Sequence, residues 1–210
     1  VTNTKLRPDL YQRLAALDPD APTEEERKAE ACTKYRWMSW NDGQTTLKRL
    51  GFRIDGIARK GQVPKSELRQ IQTLSDMAHC IIKHFLPRLE APGGGGAAQA
   101  GCTRAAQLEV ARAVVRRLHE LRQALRGSDF VARHSLVGSS LLFVSDPLGP
   151  SAGVFLIDFA KTSLVPADIK MIDHVSLWQP GNHEDGLFFG MDNVIRCWEE
   201  VLEIVVSSSN

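Results

Sequence analysis

SLLFVSD at residues 140–146 and GVFLID at residues 153–158 are the segments that most clearly indicate the fold class of this chain. Both runs are short and rich in residues that favour β-structure, and the turn-forming segment DPLGPSA joins them. Two such runs around a turn are typical of an antiparallel hairpin. Most of the chain before the hairpin, and the segment that ends the chain, show helical spacing instead. The sequence therefore predicts an α+β fold.

The N-terminal part of the chain carries the signals of two helices. Residues 8–18 begin with a proline, a favoured first helical residue, and the apolar stripe that follows predicts a helix. That stripe consists of Leu10, Leu14 and Leu17. Thr23 then fits an N-cap, with Glu26 as its partner in a capping box. A second helix is predicted from there through Ala31 towards Trp40.

Five further segments complete the prediction. LGFRIDGIA (50–58) alternates apolar and polar residues and indicates a strand or strand end. Residues 65–86, 104–126 and 185–206 follow helical spacing. APGGGGAAQAG (91–101) is predicted to be a flexible linker. It is not a phosphate cradle, because no strand precedes its glycines and no GK[ST] follows them.

Composition excludes several classes of protein. The 26 basic and 25 acidic residues nearly balance, which argues against a protein that coats nucleic acid. The longest apolar runs fall well short of the roughly 20 residues that span a bilayer. The four cysteines show no metal-site spacing and indicate reduced thiols in an intracellular, cytoplasmic or nuclear protein. Because the chain starts without Met, we expect it to begin inside a longer protein.

Asp158 is the most suggestive residue for chemistry, because it ends an apolar strand. A carboxylate placed there can hold Mg²⁺ on nucleotide phosphates, as phosphoryl transfer requires. Lys161 follows three residues later and can reach an anionic ligand near that metal. The residues alone leave a second interpretation open: a strand-terminal turn residue followed by a solvated lysine.

Basic and aromatic residues also cluster near the N-terminus: Arg7, Tyr11, Arg13, Lys34, Arg36, Trp37 and Trp40. Arginine can grip a phosphate with two parallel hydrogen bonds, so a polyphosphate pocket is one interpretation. Stacking of single-stranded nucleic acid and an ordinary helix surface are the alternatives. The arginine-rich face of residues 104–126 is similarly ambiguous. It can bind calmodulin or an anionic membrane, or be the solvated side of a core helix.

Six segments, in order, resemble the inositol polyphosphate kinase family, and most closely its inositol 1,4,5-trisphosphate 3-kinase branch. They are DLYQRLAALDPDAPTEEE (9–26), TKYRWMSW (33–40), LGFRIDGI (50–57), GSSLLFVSD (138–146), IDFAKT (157–162) and WQPGNHEDGLFFGMDN (178–193).

The resemblance implies a two-lobed, kinase-like (ATP-grasp-like) enzyme that uses ATP and Mg²⁺ to phosphorylate the 3-hydroxyl of inositol trisphosphate. On this basis residues 1–58 form an inserted helical lobe for the inositol phosphate, with its return strand. Residues 59–136 hold helices and the linker. Residues 137–210 form the C-terminal lobe, with the metal-binding hairpin and closing helix.

The resemblance also assigns site residues by position. The stretches Arg7 to Arg13 and Lys34 to Asn41 match the two substrate-binding segments of the family, and Lys161 matches a substrate-contacting lysine. Asp158 matches the aspartate that binds magnesium and nucleotide. The expected substrate contacts are Arg7, Leu10, Tyr11, Arg13, Lys34, Arg36, Trp37, Asn41 and Lys161.

Besides Ala160, which replaces a glycine common in this branch, three positions depart from the family pattern. Trp37 stands where a tyrosine is usual, Asn41 where an arginine is usual, and Ala58 where a lysine contacts the nucleotide. The neighbouring Arg59 is the expected substitute at the nucleotide.

The DxKxG segment and the small ATP lobe of the family are expected before Val1, so the chain alone is expected to be inactive. Its hairpin is expected to carry a face that this lobe covers. The alternative function is a non-catalytic module that binds an inositol phosphate or Ca²⁺-calmodulin, since family members often bind calmodulin near the region matching residues 9–17.

Overall fold

A computed structural model describes residues 4–58, 61–87, 104–146, 150–169, 171–179 and 181–208. The chain divides into two compact units, Val1–Arg49 and Leu50–Asn210, and each is described by itself below. The predicted linker at 91–101 lies outside the described residues. The three-part functional division given above stays a prediction.

Helices and short antiparallel strand pairs make up the described part of the chain, which confirms the α+β class. Its helices are α1 (Pro8–Leu17), α2 (Glu24–Ala29), α3 (Lys34–Gly43), α4 (Leu47–Leu50), α5 (Lys65–Arg69), α6 (Leu74–His84), α7 (Arg104–Arg126), α8 (Asp129–Arg133) and α9 (Leu187–Ser207). Its strand pairs are β1 (Leu6–Arg7) with β2 (Cys32–Thr33), β3 (His134–Ser135) with β6 (Ser163–Leu164), and β4 (Ser140–Ser145) with β5 (Ala152–Ile157).

The first unit has a small core between α1 and α3. Leu10 and Leu14 of α1 are buried with Cys32, and aromatic residues of both helices pack around them. The predicted helix at 8–18 is confirmed, with Pro8 in its first turn. Leu17, the third residue of the predicted stripe, is exposed because this core ends before the last turn of α1.

The predicted continuous helix from Thr23 towards Trp40 is wrong. Its start is correct, since Thr23 and Glu26 form the capping box. The helix nevertheless ends at Ala29, because Glu30 adopts a left-handed conformation with φ of 47° and the next residues join the β1–β2 ladder. Thr33 then caps a separate helix, α3, by accepting a hydrogen bond from the Arg36 amide.

The core of the second unit lies where α6, α7 and α9 meet the hairpin. Val110, Val114 and Leu118 of α7 are buried against α9, and Val154 of β5 joins them. The prediction for residues 104–126 agrees with α7 at both ends. The hairpin register, with Leu142 opposite Phe155, confirms the pairing predicted for the two β-rich runs.

The strand predicted at 50–58 is wrong. This stretch is fully described, and it follows α4 as an irregular segment in which Ala58 makes an isolated bridge to Gln62. Phe52, Ile54 and Ile57 do pack against the core of the second unit. The alternation therefore predicted burial correctly, but burial does not require a ladder partner.

The single helix predicted at 65–86 is also interrupted. It consists of α5 and α6, separated at Gln70 to Thr73. Thr73 accepts from the Asp76 amide while the Asp76 carboxylate accepts from Thr73, which forms a second capping box. That box starts a new helix, so the apolar periodicity continues through a break in the backbone.

Candidate functional site

The end of β5 positions the predicted metal ligand. Asp158 follows Ile157 directly and has a left-handed backbone with φ of 62°. Aspartate tolerates this conformation better than most residues. The chain then closes a turn in which the Thr162 amide donates to the Phe159 carbonyl at 3.0 Å. This geometry leaves Asp158 exposed where the strand ends.

The chemistry of Asp158 fits a magnesium ion shared with a nucleotide. Within the described ranges its carboxylate has no hydrogen-bond or ion-pair partner, and no cluster of three or more potential metal ligands occurs there. Mg²⁺ usually takes one or two carboxylates and completes its shell with water and substrate phosphates. A single unpaired carboxylate meets that requirement.

Lys161 follows Asp158 by three residues, and its side chain lies against a second turn. A Cβ built on Gly138 would lie 3.1 Å from Lys161 Nζ. Gly138 has a φ of +81° and belongs to the turn that precedes β4. Lys161 is exposed, and its ammonium has no partner within the described part of the chain. Asp158 and Lys161 thus lie at the same end of β5, on one short turn.

Thr162 is a member of this turn that sequence reasoning missed. Its Oγ1 is buried and has no hydrogen-bond partner among the described residues. Buried polar groups are nearly always paired, and exceptions concentrate at functional sites or mark a missing water or ion. A threonine after a lysine carries no sequence signal of this kind, so only coordinates can find it.

The β1–β2 ladder brings the two predicted substrate-binding stretches together in the first unit. Leu6 pairs with Thr33 and Arg7 pairs with Cys32. Arg7, at the start of α1, therefore lies across the ladder from the residues that lead into Lys34 and α3. The two basic stretches are distant in sequence but adjacent in the structure.

Some basic residues of these stretches are held by internal contacts, and others are exposed. Arg7 donates two hydrogen bonds of 2.7 Å to Asp9, and this contact lowers the pKa of Asp9. Arg36 donates to the Ala21 carbonyl at 2.7 Å and pairs with Glu26 at 3.3 Å. Arg13 and Lys34 are exposed, and Lys34 has no partner among the residues that the structure describes. Lys34 and Arg13 are thus the cations most available to a ligand.

The remaining predicted substrate residues of the first unit occupy mixed positions. Leu10 is buried, and Tyr11 and Trp37 pack on the same small core. The Trp37 and Trp40 rings lie 5.5 Å apart at 36°. Asn41 is half-buried in the last turn of α3. Arg59, the predicted nucleotide contact, lies outside the described residues.

Most arginines on the basic face of α7 contact other residues of this chain. Arg122 forms an ion pair with Asp192 of α9, and the Arg126 guanidinium lies 4.5 Å from the centre of the Phe188 ring. Arg112 and Arg117 pair with glutamates one turn away. Its apolar face forms the core, so α7 matches the core-helix alternative. Among the described helices, none is long and apolar enough to cross a membrane.

Comparison with known proteins decides the family. The family model described as inositol polyphosphate kinase matches residues 18–199. This chain belongs to the inositol polyphosphate kinase family. The match includes the Asp158–Lys161 turn and the stretch from Lys34 to Asn41, so the resemblance stated from the sequence segments is confirmed.

Curated relatives place the chain beside the inositol-trisphosphate 3-kinases. Inositol-trisphosphate 3-kinase A of Mus musculus is 38% identical over 199 residues, which is 95% of this chain and 39% of that protein. The inositol-trisphosphate 3-kinase homolog of Caenorhabditis elegans is 36% identical over 97% of this chain and 37% of its own length. Inositol-trisphosphate 3-kinase C of Homo sapiens is 35% identical over 90% of this chain and 25% of that protein. The chain spans two fifths or less of each of these relatives.

Proposed function

We propose that the protein carrying this chain transfers a phosphoryl group from ATP to an inositol phosphate. The acceptor is the 3-hydroxyl of inositol 1,4,5-trisphosphate. The observation that carries this proposal is the family match over residues 18–199. Support for the acceptor comes from relatives named inositol-trisphosphate 3-kinase that match 90–97% of the chain.

In this proposal Asp158 holds Mg²⁺ on the phosphates of ATP. The ion would neutralise charge that develops on the transferring phosphoryl group, which is the main catalytic requirement of this reaction. Asp158 is suited to the role because it is exposed at the end of β5 and no cation among the described residues pairs with its carboxylate. The hairpin core fixes the position of that strand.

Lys161, Lys34 and Arg13 bind the phosphates of the inositol ring in this proposal. Each is exposed, and each would gain charge-assisted hydrogen bonds on binding. Arg7 uses Nε and one terminal nitrogen on Asp9, so it would contact a phosphate through its other N–H groups. Arg36 is held by Ala21 and Glu26 and contributes mainly by holding α3 in place.

The activity is proposed for the full-length protein. The sequence of this chain contains no DxKxG segment, which supplies a catalytic lysine and a nucleotide-contacting aspartate in the family it resembles. Binding of the inositol phosphate is proposed for the chain itself, because the residues assigned to it are present.

Asp158→Asn in the full-length protein tests the proposal. We expect kcat to fall at least about a hundredfold, since a metal contact contributes several kcal/mol to the barrier. Asp168→Asn is the matched control, because Asp168 is an exposed aspartate of the same unit and has no proposed role. Steady-state kinetics with inositol 1,4,5-trisphosphate and MgATP measures both. Full activity of Asp158→Asn would contradict the metal assignment.

The alternative function is a module that binds without catalysis. Two departures favour it: Asn41 stands where the family has an arginine, and Ala58 stands where it has a nucleotide-contacting lysine. A non-catalytic module would bind inositol trisphosphate in calorimetry but transfer no phosphate from ATP. The calmodulin form of this alternative predicts a Ca²⁺-dependent complex, and a Ca²⁺-calmodulin pull-down that recovers no protein would contradict it.

A further inference from the structure

His174 is a buried, ionisable residue to which the proposed function assigns no role. Its side chain is 4% exposed, and that of its partner Asp185 is 1% exposed. His174 Nδ1 lies 2.9 Å and 3.0 Å from the two carboxylate oxygens of Asp185. Its Nε2 lies 3.0 Å from the Val131 carbonyl oxygen of α8.

The partners of the ring determine its protonation. A backbone carbonyl can only accept a hydrogen bond, so Nε2 must donate. Asp185 accepts from the Leu136 amide at 2.8 Å and from the Leu187 amide at 2.9 Å. Both of its oxygens therefore accept hydrogen bonds, which favours an ionised carboxylate, and Nδ1 then donates to it. A histidine that donates from both nitrogens is an imidazolium.

The anionic groups around His174 favour this state. Glu184 accepts from the His174 and Asp173 amides and adds a second negative charge from the same loop. From α7, Arg126 lies over the Phe188 ring, whose edge-to-face contact with His174 covers the imidazole. Burial disfavours the charge, but the hydrogen bond and charge of Asp185 outweigh it, so the pKa of His174 is raised. Burial likewise opposes the charge of Asp185, yet its hydrogen bonds leave its pKa lowered.

The contacts of this pair reach the lysine of the candidate site. Asp185 precedes α9 and accepts from Leu136, the residue that begins the turn containing Gly138. Lys161 Nζ lies against Gly138. The strand pair β3–β6 lies next to this turn and to Lys161, with His134 opposite Leu164. A short series of contacts thus joins the buried imidazolium to the ammonium of Lys161.

We propose that His174 is a positioning residue, held as an imidazolium, whose contact with Asp185 fixes the turn at residues 136–139 beneath Lys161. The protonation and the positioning concern the fold of this chain. That Lys161 then binds a phosphate rests on the proposed function.

Nuclear magnetic resonance of the chain labelled with nitrogen-15 tests the protonation first. At pH 7 the ring of His174 should show an N–H signal from each nitrogen, and both should remain as the pH rises past 6.5, the usual pKa of histidine. A ring with one protonated nitrogen at pH 7 would overturn the proposal. His79, exposed on α6, gives an internal reference in the same sample.

Hydrogen exchange of the Leu136 amide tests the positioning in the unmodified chain. The ion pair between His174 and Asp185 contributes its full stabilisation below the pKa that histidine has in the unfolded chain. It loses that contribution as the pH rises through the raised pKa of His174. The protection factor of Leu136 should therefore fall at least tenfold as the second ring signal disappears. An unchanged protection factor across that titration would overturn the proposed link.

His174→Gln removes the charge and one of the two donors, and His79→Gln is its matched control. His174→Gln should expose the Leu136 amide to exchange and weaken binding of inositol trisphosphate about tenfold or more, whereas His79→Gln should change neither. Wild-type protection of Leu136 in His174→Gln would overturn the proposal. If the unmodified chain does not bind inositol trisphosphate, the proposed function fails, and the ring signals and Leu136 exchange still decide the positioning.

Discussion

At the scale of single residues, the structure separates exposed cations from cations that are held by internal contacts. Lys34 and Arg36 lie two positions apart on α3, and the sequence assigns both to a phosphate. In the structure Lys34 is exposed, whereas Arg36 holds Ala21 and Glu26 of the same unit. Only the contacts of the side chains distinguish the two roles.

Alanine should affect stability at Arg36 and ligand binding at Lys34. Arg36→Ala should lower the free energy of unfolding by about 1–3 kcal/mol, because the Ala21 carbonyl and one carboxylate oxygen of the partly buried Glu26 lose their donor. Lys34→Ala should leave stability unchanged and weaken inositol trisphosphate binding roughly tenfold, the effect of one charge-assisted contact. Urea denaturation and calorimetry measure the two effects. Equal destabilisation by both variants would contradict the assignment.

Thr162 gives a second prediction at this scale. Thr162→Val removes a buried hydroxyl that has no partner among the described residues, so the free energy of unfolding should stay equal or rise, by up to about 1–3 kcal/mol. Thr162→Ser, which keeps the hydroxyl and loses a methyl group, should be less stable than the valine variant. A valine variant that is clearly less stable than wild type would show that the hydroxyl does have a partner.

At the scale of elements, local signals predicted some helix ends and missed others. The capping box of Thr23 and Glu26 and the full length of α7 could be predicted, because they depend on neighbours in sequence. The break after Ala29 could not, because it depends on pairing between β1 and β2 across about 25 residues. The Asp158 position followed from the hairpin pattern, whereas the contact of Lys161 with Gly138 depends on tertiary structure.

Helix α9 packs closely against Gly51, and this contact predicts how α9 tolerates a larger residue. A Cβ on Gly190 would lie 2.6 Å from the Gly51 carbonyl oxygen, and Asn193 donates to the Leu50 carbonyl at 3.0 Å beside it. Gly190→Ala gains up to about 1 kcal/mol of helix propensity. The clash with backbone costs about 1–3 kcal/mol and also separates Asn193 from Leu50, so the net effect should be a loss of stability.

Gly127→Ala is the matched control for Gly190→Ala. The nearest atom to a Cβ there lies 3.7 Å away, an ordinary contact distance. Thermal unfolding of both variants should show a lower Tm for Gly190→Ala alone. An unchanged Tm for Gly190→Ala would mean that α9 and residue 51 are less closely packed than the structure shows.

At the scale of the whole molecule, the outer face of the hairpin carries exposed apolar side chains. Leu142 and Phe155 are directly opposite each other and are 44% and 51% exposed. Val144 and Ile157 extend the same apolar surface. The sequence predicted a hairpin face for another lobe to cover, and this exposure is compatible with it. What covers that face stays a prediction, since apolar exposure alone does not identify its partner.

We propose that the protein carrying this chain phosphorylates inositol 1,4,5-trisphosphate at the 3-hydroxyl. The most direct measurement is phosphorus NMR of the product formed by the full-length protein with MgATP, with Asp158→Asn as the inactive control. We predict one added phosphate, on the 3-oxygen of the ring, and no product from the variant. Recovery of unchanged inositol trisphosphate, or a phosphate on another oxygen, would contradict the claim.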